Sequence, residues 1–97
     1  MRYEILLAPE AVEDLEALRA NVRTEVKNAI QRHLRHEPTK QSKSRIKRLR
    51  GLSRPQFRLR VGDVRVFYDV KAARVEIIAI VAKGHARLWL ERKGEKL

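Results

Sequence analysis

A chain of 97 residues has room for one domain, expected to span residues 1–97, and for a modest core. Its 43% hydrophobic content favours a folded chain, and the lack of cysteine excludes disulfides, cysteine-bound zinc and thiol nucleophiles. The net charge of +11 is concentrated: residues 40–65 hold 10 Lys/Arg against one acid, whereas residues 1–39 hold 6 against 7. Such a block repels itself unless something anionic faces it, and solubility alone would not gather the charge in one place. Nucleic acid is the expected partner. No apolar run approaches the ~18 residues of a membrane span. The opening Met1–Leu7 is short for a signal peptide and contains Glu4. A cytoplasmic protein without a membrane partner is therefore expected.

Residues 2–7 read as a short strand in which Tyr3, Ile5 and Leu7 share a side. Pro9 suits the first turn of a helix, with Glu10, Glu13 and Asp14 near its positive end. Ala11, Leu15, Leu18 and Val22 give that helix an apolar stripe. Asn21 can cap a second helix carrying Val22, Val26, Ala29, Ile30, His33 and Leu34, and Pro38 ends it. The pattern predicts a helical hairpin jointed near residues 19–21. Residues 39–45 are polar and predicted to be a mobile loop. Residues 46–50 are a candidate strand stopped by Gly51, and residues 52–55 a turn. A hairpin follows at 56–70, a turn at 71–73, and a strand at 74–82 whose two apolar faces suit an inner position. Residues 86–92 form a candidate C-terminal helix with Leu88, Trp89 and Leu90. Strand, two helices, then a run of strands is an α+β order.

The hairpin is where chemistry shows. Gly62-Asp63 makes a two-residue loop, which fixes the register. Phe57, Leu59, Val61, Val64, Val66 and Tyr68 then line the core face. Arg58, Arg60, Arg65 and Phe67 line the other, with Arg60 directly opposite Arg65. Like charges so placed destabilise a sheet by up to ~1 kcal/mol. A phosphate between them turns repulsion into charge-assisted contact, and Phe67 beside Arg58 offers a surface for a base to stack on. The structural alternative has these arginines partnered by Asp69 or Glu76 and Phe67 covered by the helices.

The run Phe57–Val70, together with Lys47-Arg48-Leu49-Arg50-Gly51 and Pro9–Leu15, resembles the RelE/ParE toxin superfamily over nearly the whole chain. The resemblance implies two N-terminal helices on a twisted antiparallel sheet. It also implies a cognate antitoxin, acidic and wrapping the toxin, with operator DNA reached only through that complex. For RelE-like members it implies cleavage of mRNA on the ribosome with no metal and no cofactor, the 2′-hydroxyl attacking the neighbouring phosphate. Arg65 then holds the scissile phosphate, while Arg58 and Arg60 stabilise charge and orient the backbone. The family's C-terminal catalytic tyrosine is missing. Lys83 and His85 remain near that end, His85 being the candidate for proton transfer.

Lys47, Arg48, Arg50 and Arg54 are expected to track the RNA backbone, although a strand at 46–50 would turn Lys47 and Leu49 away from Arg48 and Arg50. His33 falls on an apolar stripe and is read as structural, and Trp89 as core or antitoxin packing. No zinc spacing, glycine-rich phosphate loop or Ser/His/Asp set is present. Two other functions stay open beside the endoribonuclease: a ParE-like inhibitor that binds DNA gyrase without nuclease chemistry, and an inactive nucleic-acid-binding relative.

Overall fold

The computed structural model describes residues 1–97. Strand β1 (Glu4–Leu7) leads into α1 (Pro9–Glu16), where Pro9 sits in the first turn and forfeits no helical hydrogen bond. Helix α2 (Ala20–Leu34) starts one residue before the expected cap, with Arg19 at its N-cap and no side chain capping it. The joint is fixed from inside α2 instead. Arg23 donates through Nε to the Leu15 carbonyl and through Nη2 to those of Glu16 and Leu18, at 3.2, 3.0 and 2.8 Å. Leu15 and Glu16 lie in the last turn of α1, where carbonyls lack an i+4 partner within the helix, and Leu18 lies in the joint; the Leu15 carbonyl also accepts from the Leu18 N–H at 3.2 Å.

The predicted loop at 39–45 is pinned at several points. Ser42 Oγ accepts from the backbone N–H groups of Arg45 and Ile46, and Gln41 Oε1 from that of Arg48. Strand β2 (Ile46–Arg48) is shorter than the pattern suggested. The expected turn at 52–55 contains β3 (Leu52–Arg54). Strands β4 (Phe57–Val61) and β5 (Val64–Lys71) form the hairpin in the predicted register, from Phe57 opposite Tyr68 to Val61 opposite Val64. Gly62 takes φ +56°, the left-handed geometry its place in the loop requires.

Strand β6 (Arg74–Ala82) lies between β5 and β1, which explains its apolar residues on both faces. The sheet order is β1-β6-β5-β4-β2, with β1 parallel to β6 and the other pairs antiparallel. A register shift beside Phe67 and Tyr68 sets Phe67 against Ala79 and Tyr68 against Ile77.

Ala11 and Leu15 of α1 and Val26, Ile30 and Leu34 of α2 pack with Leu59, Val66, Tyr68, Val75 and Ile77 in one core. Both helices thus cover the same face of the sheet. Each large aliphatic side chain so buried contributes roughly 1.5–3 kcal/mol. The buried Tyr68 hydroxyl donates to the Pro38 carbonyl at 2.6 Å, tying the end of the helical layer to the middle of the sheet. Burial pushes that phenol's pKa up.

The opposite face is covered only in part. After a 3₁₀ turn at Lys83–His85, α3 (Ala86–Lys93) crosses it, and β7 (Glu95–Lys96) pairs with β3. This small second sheet was not legible from pattern. The chain leaves α3 at Gly94, where a Cβ would stand 2.5 Å from the Leu90 carbonyl oxygen. No helix is long and apolar enough to cross a membrane.

Candidate nucleic-acid interface

Arg58, Arg65, Lys83 and Arg87 line one groove of about 520 Å³ on the face away from α1 and α2, with Glu91 as its only acid. Leu49, Phe67, Ala86 and Leu90 form its apolar part. Strands β4 and β5 supply Arg58 and Arg65 from opposite sides of the hairpin. The backbone N–H of Lys83 donates to the Asp63 carbonyl at 2.7 Å, which fastens the start of the 3₁₀ turn to the hairpin loop.

Arg65 is only 8% exposed. Its Nη1 donates to the carbonyls of Gly62 and Val64, at 2.9 and 3.0 Å. A guanidinium has five N–H donors in a planar fork. With Nη1 committed to the loop, the group is held rigid while the Nε and Nη2 edge stays free of protein acceptors. That edge has the geometry to grip two oxygens of one phosphate.

Arg58 is more exposed in its circumstances than in its surface. Its Nε is buried without a hydrogen-bond partner in the protein. Burial lowers its pKa, and the charges of Arg65 and Arg60 lower it further. No carboxylate forms an ion pair with Arg58, Arg60 or Arg65, so the salt-linked alternative does not hold for the hairpin arginines. A desolvated N–H without a partner costs about 1–3 kcal/mol. Arg60 is exposed and does not line this groove; with Ser44, Arg45 and Gly62 it lines a separate cavity.

The other sequence-predicted residues divide. Lys47 pairs with Arg58 across β2 and β4, lies on the same face and is exposed. Arg48 pairs with Phe57 and lies on the opposite face, its guanidinium 5.2 Å from the Phe57 ring centroid. Arg50 is exposed beside the Gly51 turn and does not line the groove. His85 is exposed at the head of α3, also outside the groove lining.

Two expectations are corrected. Phe67 is no open platform for a base: it is 1% exposed, and Trp89 stacks on it with centroids 5.2 Å apart and planes 16° apart. The reason is α3, whose Trp89 is held by that stack and by a hydrogen bond from Nε1 to Glu10 Oε2 at 3.2 Å. Arg54 does not track a backbone either. It pairs with Asp69 and Glu76 at 3.0 Å each and with Glu95 at 3.8 Å. Burial works against its charge, but these three acids outweigh it and raise its pKa. Arg87 and Glu91 were missed. Their one signal was an i, i+4 spacing on the candidate helix, which says nothing about which way that helix faces.

Comparisons with known proteins bear on the family and the fold. Residues 5–87 match the family described as ParE toxin of type II toxin-antitoxin system, parDE. No curated protein matches by sequence. Among solved structures, a chain of the archaeal RelE–RelB complex from Pyrococcus horikoshii OT3 is similar at TM-score 0.70 and 24% identity, covering 87% of this chain and 98% of that one. A chain of the toxin–antitoxin complex RelBE2 from Mycobacterium tuberculosis gives 0.67 and 22%, covering 84% and 99%. A doubly arginine-substituted RelE from E. coli in the free state gives 0.58 and 18%, covering 96% and 99%. The α+β fold is thus that of RelE toxins, and the family match extends over most of the chain. The chain belongs to the ParE toxin family of type II toxin–antitoxin systems, within the RelE/ParE superfamily.

Proposed function

We propose that this toxin is a ribosome-dependent mRNA endoribonuclease working in the Arg58–Arg65–Lys83 groove and held in check by a cognate antitoxin. The carrying observation is the arginine pair on the hairpin: a rigid Arg65 fork with a free edge, and an Arg58 whose buried Nε meets no acceptor in the protein. A phosphate oxygen satisfies that donor and neutralises the mutual repulsion. In the reaction, the 2′-hydroxyl oxygen bonds to the adjacent phosphorus and the bond to the 5′-oxygen breaks, leaving a 2′,3′-cyclic phosphate and a 5′-hydroxyl. Arg65 and Arg58 stabilise the extra negative charge of the phosphorane. Lys83, an ammonium in the same groove, can protonate the departing 5′-oxygen. Arg60 and Lys47, exposed on the same strand face as Arg58 and Arg65, hold the flanking backbone. The antitoxin reading is supported by the Pyrococcus and Mycobacterium relatives, both of which are seen in toxin–antitoxin complexes.

A second reading, inhibition of DNA gyrase by binding alone, is favoured by the match to the ParE family and by the lack of histidine and tyrosine in the groove. In vitro translation of a defined mRNA with the purified toxin separates the two. Codon-dependent cuts that vanish with Arg58→Ala support the first reading. Intact mRNA, with gyrase-dependent breaks in plasmid DNA, supports the second and ends the first.

A further inference from the structure

Carbonyls in a surface loop can bond to water. At the hairpin loop three consecutive carbonyls are instead taken by parts of the groove. Arg65 Nη1 donates to those of Gly62 and Val64, at 2.9 and 3.0 Å, and the Lys83 backbone N–H donates to that of Asp63 at 2.7 Å. The loop thus holds the guanidinium of one groove cation and the main chain of another.

The direction of the Gly62 carbonyl is set by the type of turn. Of the two loop residues only Gly62 has positive φ, at +56°, which is the pattern of a type II′ turn. The other favoured two-residue turn, type I′, needs positive φ at both. The two types close the same hairpin but differ by a flip of the peptide between the loop residues, roughly 180°. That peptide carries the Gly62 carbonyl. In a type I′ turn the carbonyl would face away from Arg65 Nη1.

The simplest structural role for these bonds is that Arg65 staples its own turn. The hairpin, however, is closed by five strand pairs, from Val61 opposite Val64 to Phe57 opposite Tyr68. The staple also buries a guanidinium beside Arg58, whose pKa is lowered in part by the charge of Arg65. Burying one cation next to another is a cost that turn closure does not require.

Resting on the endoribonuclease reading, we infer that Gly62 is a positioning residue: its type II′ turn aims the Arg65 guanidinium, Nε and Nη2 edge outward, at the scissile phosphate. Gly62 touches no substrate and acts through Arg65. The same loop fixes the backbone of Lys83 through the Asp63 carbonyl, so one tight turn holds both the phosphate grip and the start of the segment that bears the proton donor.

The test exchanges the turn and keeps the hairpin. Gly62→Asn combined with Asp63→Gly gives the Asn-Gly pair that type I′ turns prefer. A Cβ on Gly62 would meet nothing nearer than Glu25 Oε1, at 3.9 Å, so the new side chain has room. Single-turnover cleavage of a defined mRNA on programmed ribosomes is measured for the wild type, the turn exchange, Arg65→Ala and the turn exchange with Arg65→Ala. Melting temperature is read in parallel, as is binding to ribosomes whose mRNA carries 2′-deoxy nucleotides at the cut codon.

The turn exchange should keep the melting temperature. Binding should be retained or tightened, because every cation remains and one acid is lost. Cleavage should fall about 10- to 100-fold, the scale on which misplacing a catalytic group slows a reaction. With Arg65→Ala already present, the same exchange should change the rate less than about threefold, because the residue it acts through is gone. Equal rates for the wild type and the turn exchange overturn the inference, as does an undiminished fall in the Arg65→Ala background, and both leave the endoribonuclease reading intact. A melting temperature that drops in step with the rate also overturns it, by making Gly62 structural. A wild type that leaves the mRNA uncut ends the endoribonuclease reading itself, and the positioning role falls with it.

Discussion

Arg54 and Arg58 stand four residues apart at the entry to the same hairpin, yet their neighbours are of opposite sign. Arg54 meets Asp69, Glu76 and Glu95, which lie on β5, β6 and β7. Arg58 meets Arg65 and Arg60 and leaves a buried N–H without an acceptor. Asp69 and Glu76 oppose each other across β5 and β6, so Arg54 is also what separates two like charges. One arginine is a clamp between the sheet and the C-terminal segment; the other is a group whose complement is missing from the chain. Density of positive charge along the sequence therefore says little about which arginine faces a ligand. The acids that decide it arrive from other strands.

The largest expected effect breaks the comparison at Arg58. Arg58→Ala should reduce mRNA cleavage by about 100-fold or more, as removal of a charge-stabilising donor does. Its melting temperature should be unchanged or higher, because the substitution deletes a buried unpaired donor and a repulsion. A fall in melting temperature matching the loss of activity would make Arg58 a structural residue.

Trp89→Ala comes next. It strips the cover from Phe67 and removes the link to Glu10, at a cost of about 3–5 kcal/mol measured by urea unfolding. A loss below 1 kcal/mol would mean that α3 is not held as described.

Arg54→Ala sharpens the other side of the comparison. A loss of roughly 1–3 kcal/mol is expected, towards the low end because the side chain is partly exposed. Burial already raises the Asp69 pKa, opposed by the Gln56 N–H and Arg54. With Arg54 gone, the native state binds a proton at this acid pair more tightly than the unfolded chain does. Stability is then greater on the acid side and is lost as pH rises through the raised pKa. The deficit of the variant should therefore shrink on acidification, and cleavage per folded molecule should stay unchanged.

The smallest effect concerns His33. Burial lowers its pKa, with Arg45 and Arg32 adding to the shift. The unfolded chain takes up this proton first, so stability is present above the ordinary histidine pKa of about 6.5 and is lost as pH falls through and below it. His33→Gln should flatten that part of the melting-temperature profile between neutral and mildly acid pH. An unaltered profile would assign the dependence to another group.

Much of the fold was legible because its signals are local. The hairpin register followed from a two-residue loop and strict alternation, and all five predicted pairs are found. The inner position of β6 followed from apolar residues on both faces. The start of the second helix was misplaced because no side chain caps it: Arg19, not Asn21, stands at the N-cap, and the joint is fixed by Arg23 donating to carbonyls on its other side. In the site, Arg58, Arg65 and Lys83 were legible and are brought together in the groove. Phe67 and Arg54 were misread because Trp89, Asp69, Glu76 and Glu95 come from later in the chain. Arg87 and Glu91 were unreadable until the direction of α3 was known.

Amino-acid order alone determined the concentration of charge, the hairpin with its arginine face, and the succession of strand, helices and strands, since loop length, side-chain alternation and helical spacing act over a few residues. Tertiary structure alone decided which cations stay unpaired, where Glu91 stands, and that an aromatic on the arginine face is sealed by a helix. Those outcomes depend on contacts between segments far apart in the chain, whose geometry is set by packing rather than by local spacing.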